Sequence, residues 1–72
     1  MKLTVEEATA EVKKIVPTIA MIGDKKGLHW DVGYLMDEGM WLAEFFIDGG
    51  KIIEVYKQPT TKQLIETIVN KK

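Results

Sequence analysis

The chain has no cysteine, no serine and no arginine, and a single histidine among its 72 residues. Without cysteine there is no disulfide, no thiolate nucleophile and no zinc–thiolate site. The absence of serine removes the commonest hydroxyl nucleophile, and the absence of arginine removes the planar fork that grips phosphates and guanine edges in two places. Long apolar runs are missing too. A membrane-spanning helix needs about 20 consecutive apolar residues, and charges interrupt every apolar stretch well before that. The beginning of the chain carries Lys2, Glu6, Glu7 and Glu11 and no apolar core of the secretion-signal kind. No membrane association is expected, and the expected location is cytoplasmic.

Charge excludes further partners. The net charge is −1, unevenly spread. Residues 18–57 hold four lysines against seven acidic residues, a net of −3, whereas residues 58–72 hold three lysines against one glutamate, a net of +2. Nucleic-acid binders carry a basic stripe, and the acidic middle of this chain argues against a nucleic-acid partner. Residues 1–72 read as one domain, with no repeat or low-complexity linker. A chain this short buries only about 60% of its unfolded surface, so a net stability of a few kcal/mol is expected.

What is present is strongly patterned. Thr4-Val5-Glu6-Glu7 matches a capping box, in which Thr4 caps the Glu7 amide and Glu7 reaches back to Thr4. Val5, Ala8, Val12, Ile15 and Val16 follow at helical spacing. Pro17 disfavours helical conformation in the residue before it, so the expected first helix covers residues 4–16. Thr18 to Ile22 then reads as a short strand, and Gly23 to Gly27 as a polar turn. Leu28 to Tyr56 reads as three further strands, broken at Asp37-Glu38-Gly39 and at Asp48-Gly49-Gly50. Pro59-Thr60-Thr61 opens a second helix over residues 61–71, with Leu64, Ile65, Ile68 and Val69 on one face and Lys71 and Lys72 at the negative end of its dipole. The expected fold is α+β, a two-layer αββββα arrangement with both helices on one face of a four-stranded antiparallel meander.

Register decides which residues share a face, because a slip of one residue inverts every side chain. A four-residue turn over Met36–Gly39 puts Leu28, Trp30, Val32 and Tyr34 beside Ile47, Phe45, Ala43 and Trp41, giving one wholly apolar face. A three-residue turn would mix the faces. For the next hairpin, a three-residue turn at Asp48-Gly49-Gly50 places Ile53 beside Phe45 and Val55 beside Ala43. The helices dock on the apolar face, where Trp30 and Trp41 read as core. The second face then carries His29, Asp31, Gly33, Leu35, Met40, Leu42, Glu44, Phe46, Ile52, Glu54 and Tyr56.

Two constellations on that second face carry functional readings. Asp31, Glu44 and Glu54 would form a row of carboxylates across three strands. Clustered oxygens suit a divalent cation, and the alternative is a solvated acidic strip that keeps the open sheet from stacking. Beside the row, Leu35, Met40, Leu42, Phe46, Ile52 and Tyr56 form an apolar patch of the kind that marks an interface. Its expected occupant is a second copy or another protein; coverage by the C-terminal helix and a ligand groove are the alternatives. His29 shares this face, but one imidazole with acids and no nucleophile is a poor start for an enzyme. Asp24, Lys25, Lys26 and Asp48 read as solvated turn residues. The glycines match neither a calcium loop nor a phosphate-binding loop.

Thr4-Val5-Glu6-Glu7-Ala8 at a helix start, followed by a meander closing in Phe46-Ile47-Asp48-Gly49-Gly50-Lys51-Ile52-Ile53, resembles the PepSY domain pattern over residues 4–55. The turn after Asp48 is shorter than in that family, and the helix at 61–71 is additional. The resemblance implies a non-catalytic regulatory or binding module and assigns no catalytic residue. The chain therefore reads as a non-enzymatic interaction module without cofactor, expected to form a homodimer through the open sheet face. The alternative is a small cation- or ligand-binding protein using Asp31, Glu44 and Glu54.

Overall fold

The computed structural model describes residues 2–70. It is an α+β fold in the order α1 (Val5–Lys26), β1 (His29–Leu35), β2 (Met40–Phe46), β3 (Ile52–Gln58) and α2 (Thr61–Asn70). The three strands form one antiparallel sheet in the order β1-β2-β3. Lys71 and Lys72, expected at the end of the second helix, lie outside the described residues.

The capping box starts α1 as expected. The Glu7 amide donates to Thr4 Oγ1 at 3.1 Å, and the Thr4 amide donates to Glu7 Oε1 at 2.9 Å. The expected stop at Pro17 does not occur, and the expected strand over 18–22 is helical; among the described residues there are three strands rather than four. Pro17 cannot donate to the Lys13 carbonyl, and a proline inside a helix costs about 3 kcal/mol. Against that, the turns beyond it place Ile19 at 0% exposure and bring Ile22 and Gly23 onto the core side. Fully burying an isoleucine contributes about 1.5–3 kcal/mol, so buried Ile19 with partly buried Ile22 offsets the proline. The helix ends where its geometry requires a left-handed residue. Gly27, at φ 69°, donates to the Asp24 carbonyl at 3.2 Å while Leu28 donates to the Gly23 carbonyl at 3.0 Å.

Both helices lie on one face of the sheet. Ile15 and Ile19 of α1 and Leu64 and Ile68 of α2 pack with Trp41, Ala43, Phe45 and Tyr56 in the core. The alternative in which α2 crosses to the other face does not hold: its apolar side is in this core. Trp41 is 1% exposed, and Trp30 packs at the margin, half-buried against α1. Thr60 caps α2 by accepting from the Gln63 amide at 3.1 Å. One polar link joins the helices, Thr61 Oγ1 donating to Glu11 Oε2 at 2.9 Å, and another ties β3 to α2, Gln58 Nε2 donating to Thr67 Oγ1 at 3.1 Å.

Candidate functional site

The first hairpin has the expected register. Met36–Gly39 closes it, with the Gly39 amide donating to the Leu35 carbonyl at 2.8 Å, and the pairs His29–Phe46, Asp31–Glu44, Gly33–Leu42 and Leu35–Met40 share the face away from the helices. The second hairpin also has the expected three-residue turn. The Ile47 amide donates to the Lys51 carbonyl at 3.0 Å, and Gly49 and Gly50 take positive φ values of 91° and 88°. Phe46 pairs with Ile52, but Phe45 pairs with Glu54. Ile53 is the extra residue of a β-bulge, and every later residue of β3 is inverted.

This bulge corrects two site assignments. Tyr56, expected on the open face, is 5% exposed in the core, paired with Ala43 and set edge-on to Phe45 at 6.1 Å. The small Ala43 side chain leaves the room that the Tyr56 ring fills. Glu54, expected in the acidic row, lies on the helix side instead. Its carboxylate receives Lys26 Nζ at 3.0 Å and 3.2 Å and accepts a short hydrogen bond from the Tyr56 hydroxyl. Lys26 Nζ also sits 5.6 Å from the centre of the Phe45 ring. Burial, then the bond to Glu54 and its charge, push the Tyr56 phenol up to about 12. Lys26, read from sequence as a turn residue, thus supplies the counter-charge that lets Glu54 occupy the helix side.

The open face is built from His29, Asp31, Gly33 and Leu35 of β1, Met40, Leu42, Glu44 and Phe46 of β2, and Ile52, Val55 and Lys57 of β3. Leu35, Met40, Leu42 and Phe46 are half-buried, whereas Ile52 is 48% and Val55 54% exposed. Val55, expected beside Ala43 on the helix side, and Lys57, which the sequence reading placed on neither face, belong to this face. The three-carboxylate row is reduced to Asp31 opposite Glu44, with Val55 on the far side of Glu44. Among the described residues, no group of three or more His, Cys, Asp or Glu side chains is placed to hold a metal ion.

Charges at the ends of the face are paired within the chain. His29 Nε2 lies 2.5 Å from Asp48 Oδ1, and its ring stands 5.5 Å from that of Phe46. Lys57 Nζ lies 2.9 Å from Glu38 Oε1 in the opposite turn. In the middle, a hollow of about 250 Å³ lies over Gly33, bordered by Asp31, Leu35, Leu42 and Glu44. A Cβ on Gly33 would meet nothing within 4 Å, so the glycine leaves open space between two apolar side chains. His29 contacts the exposed Asp48 and the Phe46 ring. The arrangement offers shape and apolar surface for binding.

No helix among the described residues is long and apolar enough to cross a membrane. Compared with protein-family models, curated proteins and solved structures, the chain shows no match to any of them.

Proposed function

We propose that the domain is a non-enzymatic interaction module that self-associates weakly through the open face of its sheet. The observation that carries this reading is the pair of exposed aliphatics on β3, Ile52 and Val55, continuous with the half-buried Leu42 and Phe46, on a face that neither helix covers. Leaving such surface in water is unfavourable by about 25 cal/mol per Å², and strands of two copies can stack their faces about 10 Å apart.

Sheet dimensions set the strength. Three strands of seven residues, at about 4.8 Å spacing and about 3.3 Å per residue, present a plane of roughly 330 Å². This is well below the approximately 800 Å² per partner of a standard interface, so the association belongs to the weak, transient class. The range to test is therefore a dissociation constant of about 1 µM to 1 mM, that is about −8 to −4 kcal/mol. A two-fold copy is the simplest occupant, since each contact then occurs twice.

A concentration series by light scattering tests the reading. The weight-average mass should climb from monomer toward dimer over that range. Val55→Lys should hold the chain at monomer mass, and Val69→Lys, on the helix layer, should leave the climb intact. A binding or regulatory role is also what the PepSY-like pattern implies. The cation-binding alternative loses its third ligand with Glu54 and is not carried further.

A further inference from the structure

We propose that a second site, a cleft where the first half of α1 faces the start of α2, binds a small organic cation with an apolar body. The cleft has a volume of about 440 Å³, within the range of small-molecule sites. Glu7, Ala10 and Glu11 form one wall, which is a single face of α1 at helical spacing. Pro59, Thr60 and Thr61 form the other. Half-buried Leu3 closes the bottom with apolar surface, Trp41 lies beneath it at 1% exposure, and Leu3 is fixed there because its amide donates to the Tyr34 hydroxyl at 2.9 Å.

Ala10 is the reason the cleft exists. It is exposed between two glutamates, and its single methyl leaves a gap where a longer side chain would bridge the helices. Both carboxylates keep unused acceptor capacity. Glu7 Oε1 accepts one bond from the Thr4 amide, and Glu11 Oε2 accepts one from Thr61 Oγ1. An ionised carboxylate has about four acceptor positions. No lysine lines the cleft; the nearest ion pair is Lys14 with Glu11 Oε1 at 3.8 Å, from a largely exposed position. Two carboxylates above an apolar floor, with no cation among the lining residues, complement an ammonium group carried on a hydrocarbon or aromatic body. The start of α2 carries a small positive dipole end, which would attract an anion, but the Glu7 carboxylate together with Glu11, only partly offset by the largely exposed Lys14, decides the sign in favour of a cation.

The chemistry separates the contributions. Glu7→Gln keeps the cap, since glutamine also serves at that position of a capping box, and Glu11→Gln can still accept from Thr61. The double variant Glu7→Gln/Glu11→Gln therefore removes charge while preserving the fold. Ala10→Leu fills the cleft without changing charge. The test is a titration with phenethylammonium chloride, read from the amide shifts of Ala10, Thr60 and Thr61, with circular dichroism confirming that each variant is folded. Neutral 2-phenylethanol and anionic phenylacetate are the matched probes. Saturable shifts are expected for the ammonium, with binding about tenfold weaker for the alcohol and for the double glutamine variant, and no saturation with Ala10→Leu. Equal binding of the alcohol, tighter binding of phenylacetate, unchanged affinity in the double glutamine variant or in Ala10→Leu, or no saturation in the wild-type chain would each overturn the proposal.

Discussion

Replacing Pro17 with alanine should stabilise the domain, and the size of the gain follows from the position of the proline in α1. Pro17 lies at the thirteenth of 22 helical residues and its side chain is exposed, so truncation forfeits little packing. Alanine restores an amide that can donate to the Lys13 carbonyl and removes the ring from the preceding turn. The intrinsic difference in a helix interior is about 3 kcal/mol. Alanine also frees the unfolded chain, which opposes the gain by about 0.4–1 kcal/mol, leaving a net increase of about 2 kcal/mol. In a domain of this size 1 kcal/mol corresponds to about 4–8 °C, so Tm should rise by roughly 10 °C in a thermal melt followed by circular dichroism. Urea denaturation should show a higher midpoint with an unchanged slope. If Pro17 instead ended a helix, as its sequence context suggests, removing it would leave stability unchanged or lower it. A Pro17→Ala chain that melts at or below the wild-type temperature would refute the continuous α1.

Gly23→Ala should have the opposite sign, despite the better helix propensity of alanine. A Cβ there would stand 2.9 Å from Trp30 Cδ1 and 3.2 Å from the Leu28 carbonyl oxygen. Overpacking of about 1–3 kcal/mol exceeds a propensity gain of at most about 1 kcal/mol; a higher Tm in the variant would show that Trp30 yields freely. Tyr56 gives an alkaline signature. Its phenol is raised from the ordinary 10.0 to about 12, so its contribution to stability is complete below pH 10 and is lost as pH rises toward 12. In a spectrophotometric titration at an ultraviolet phenolate band, a step near pH 12 should be present in the wild type and absent in Tyr56→Phe; a titration that Tyr56→Phe leaves without the loss of a late step would contradict the Tyr56–Glu54 bond.

Much of the fold is legible in the sequence because local signals and burial agree. The capping box at Thr4 and Glu7, the four-residue turn before Met40, the three-residue turn after Ile47 and the start of α2 at Thr60 all rest on short-range chemistry. The register of β1 against β2 follows because only one closure separates apolar from polar residues. Two features are not legible, and they are coupled. Pro17 is a local stop signal overridden by tertiary burial of Ile19 and Ile22, which no window of sequence reveals. Ending the helix there leaves Lys26 on a turn, so Glu54 has no visible counter-charge and is assigned to the solvent face. Once α1 runs to Lys26, Glu54 is neutralised on the helix side, the bulge at Ile53 becomes favourable, and Tyr56 enters the core. The open face keeps five of its six expected apolar residues, Leu35, Met40, Leu42, Phe46 and Ile52, loses Tyr56, and gains Val55 and Lys57.

The central claim is that this open face meets a second copy of the chain, and the most direct measurement is sedimentation equilibrium of the wild type and Val55→Lys over a range up to about 1 mM, as suits a small, weak interface. The wild type should fit a reversible monomer–dimer equilibrium, with Val55→Lys monomeric throughout and equally stable in a melt. A wild-type chain that remains monomeric at the highest concentration, or a Val55→Lys chain that dimerises as well as the wild type, would contradict it.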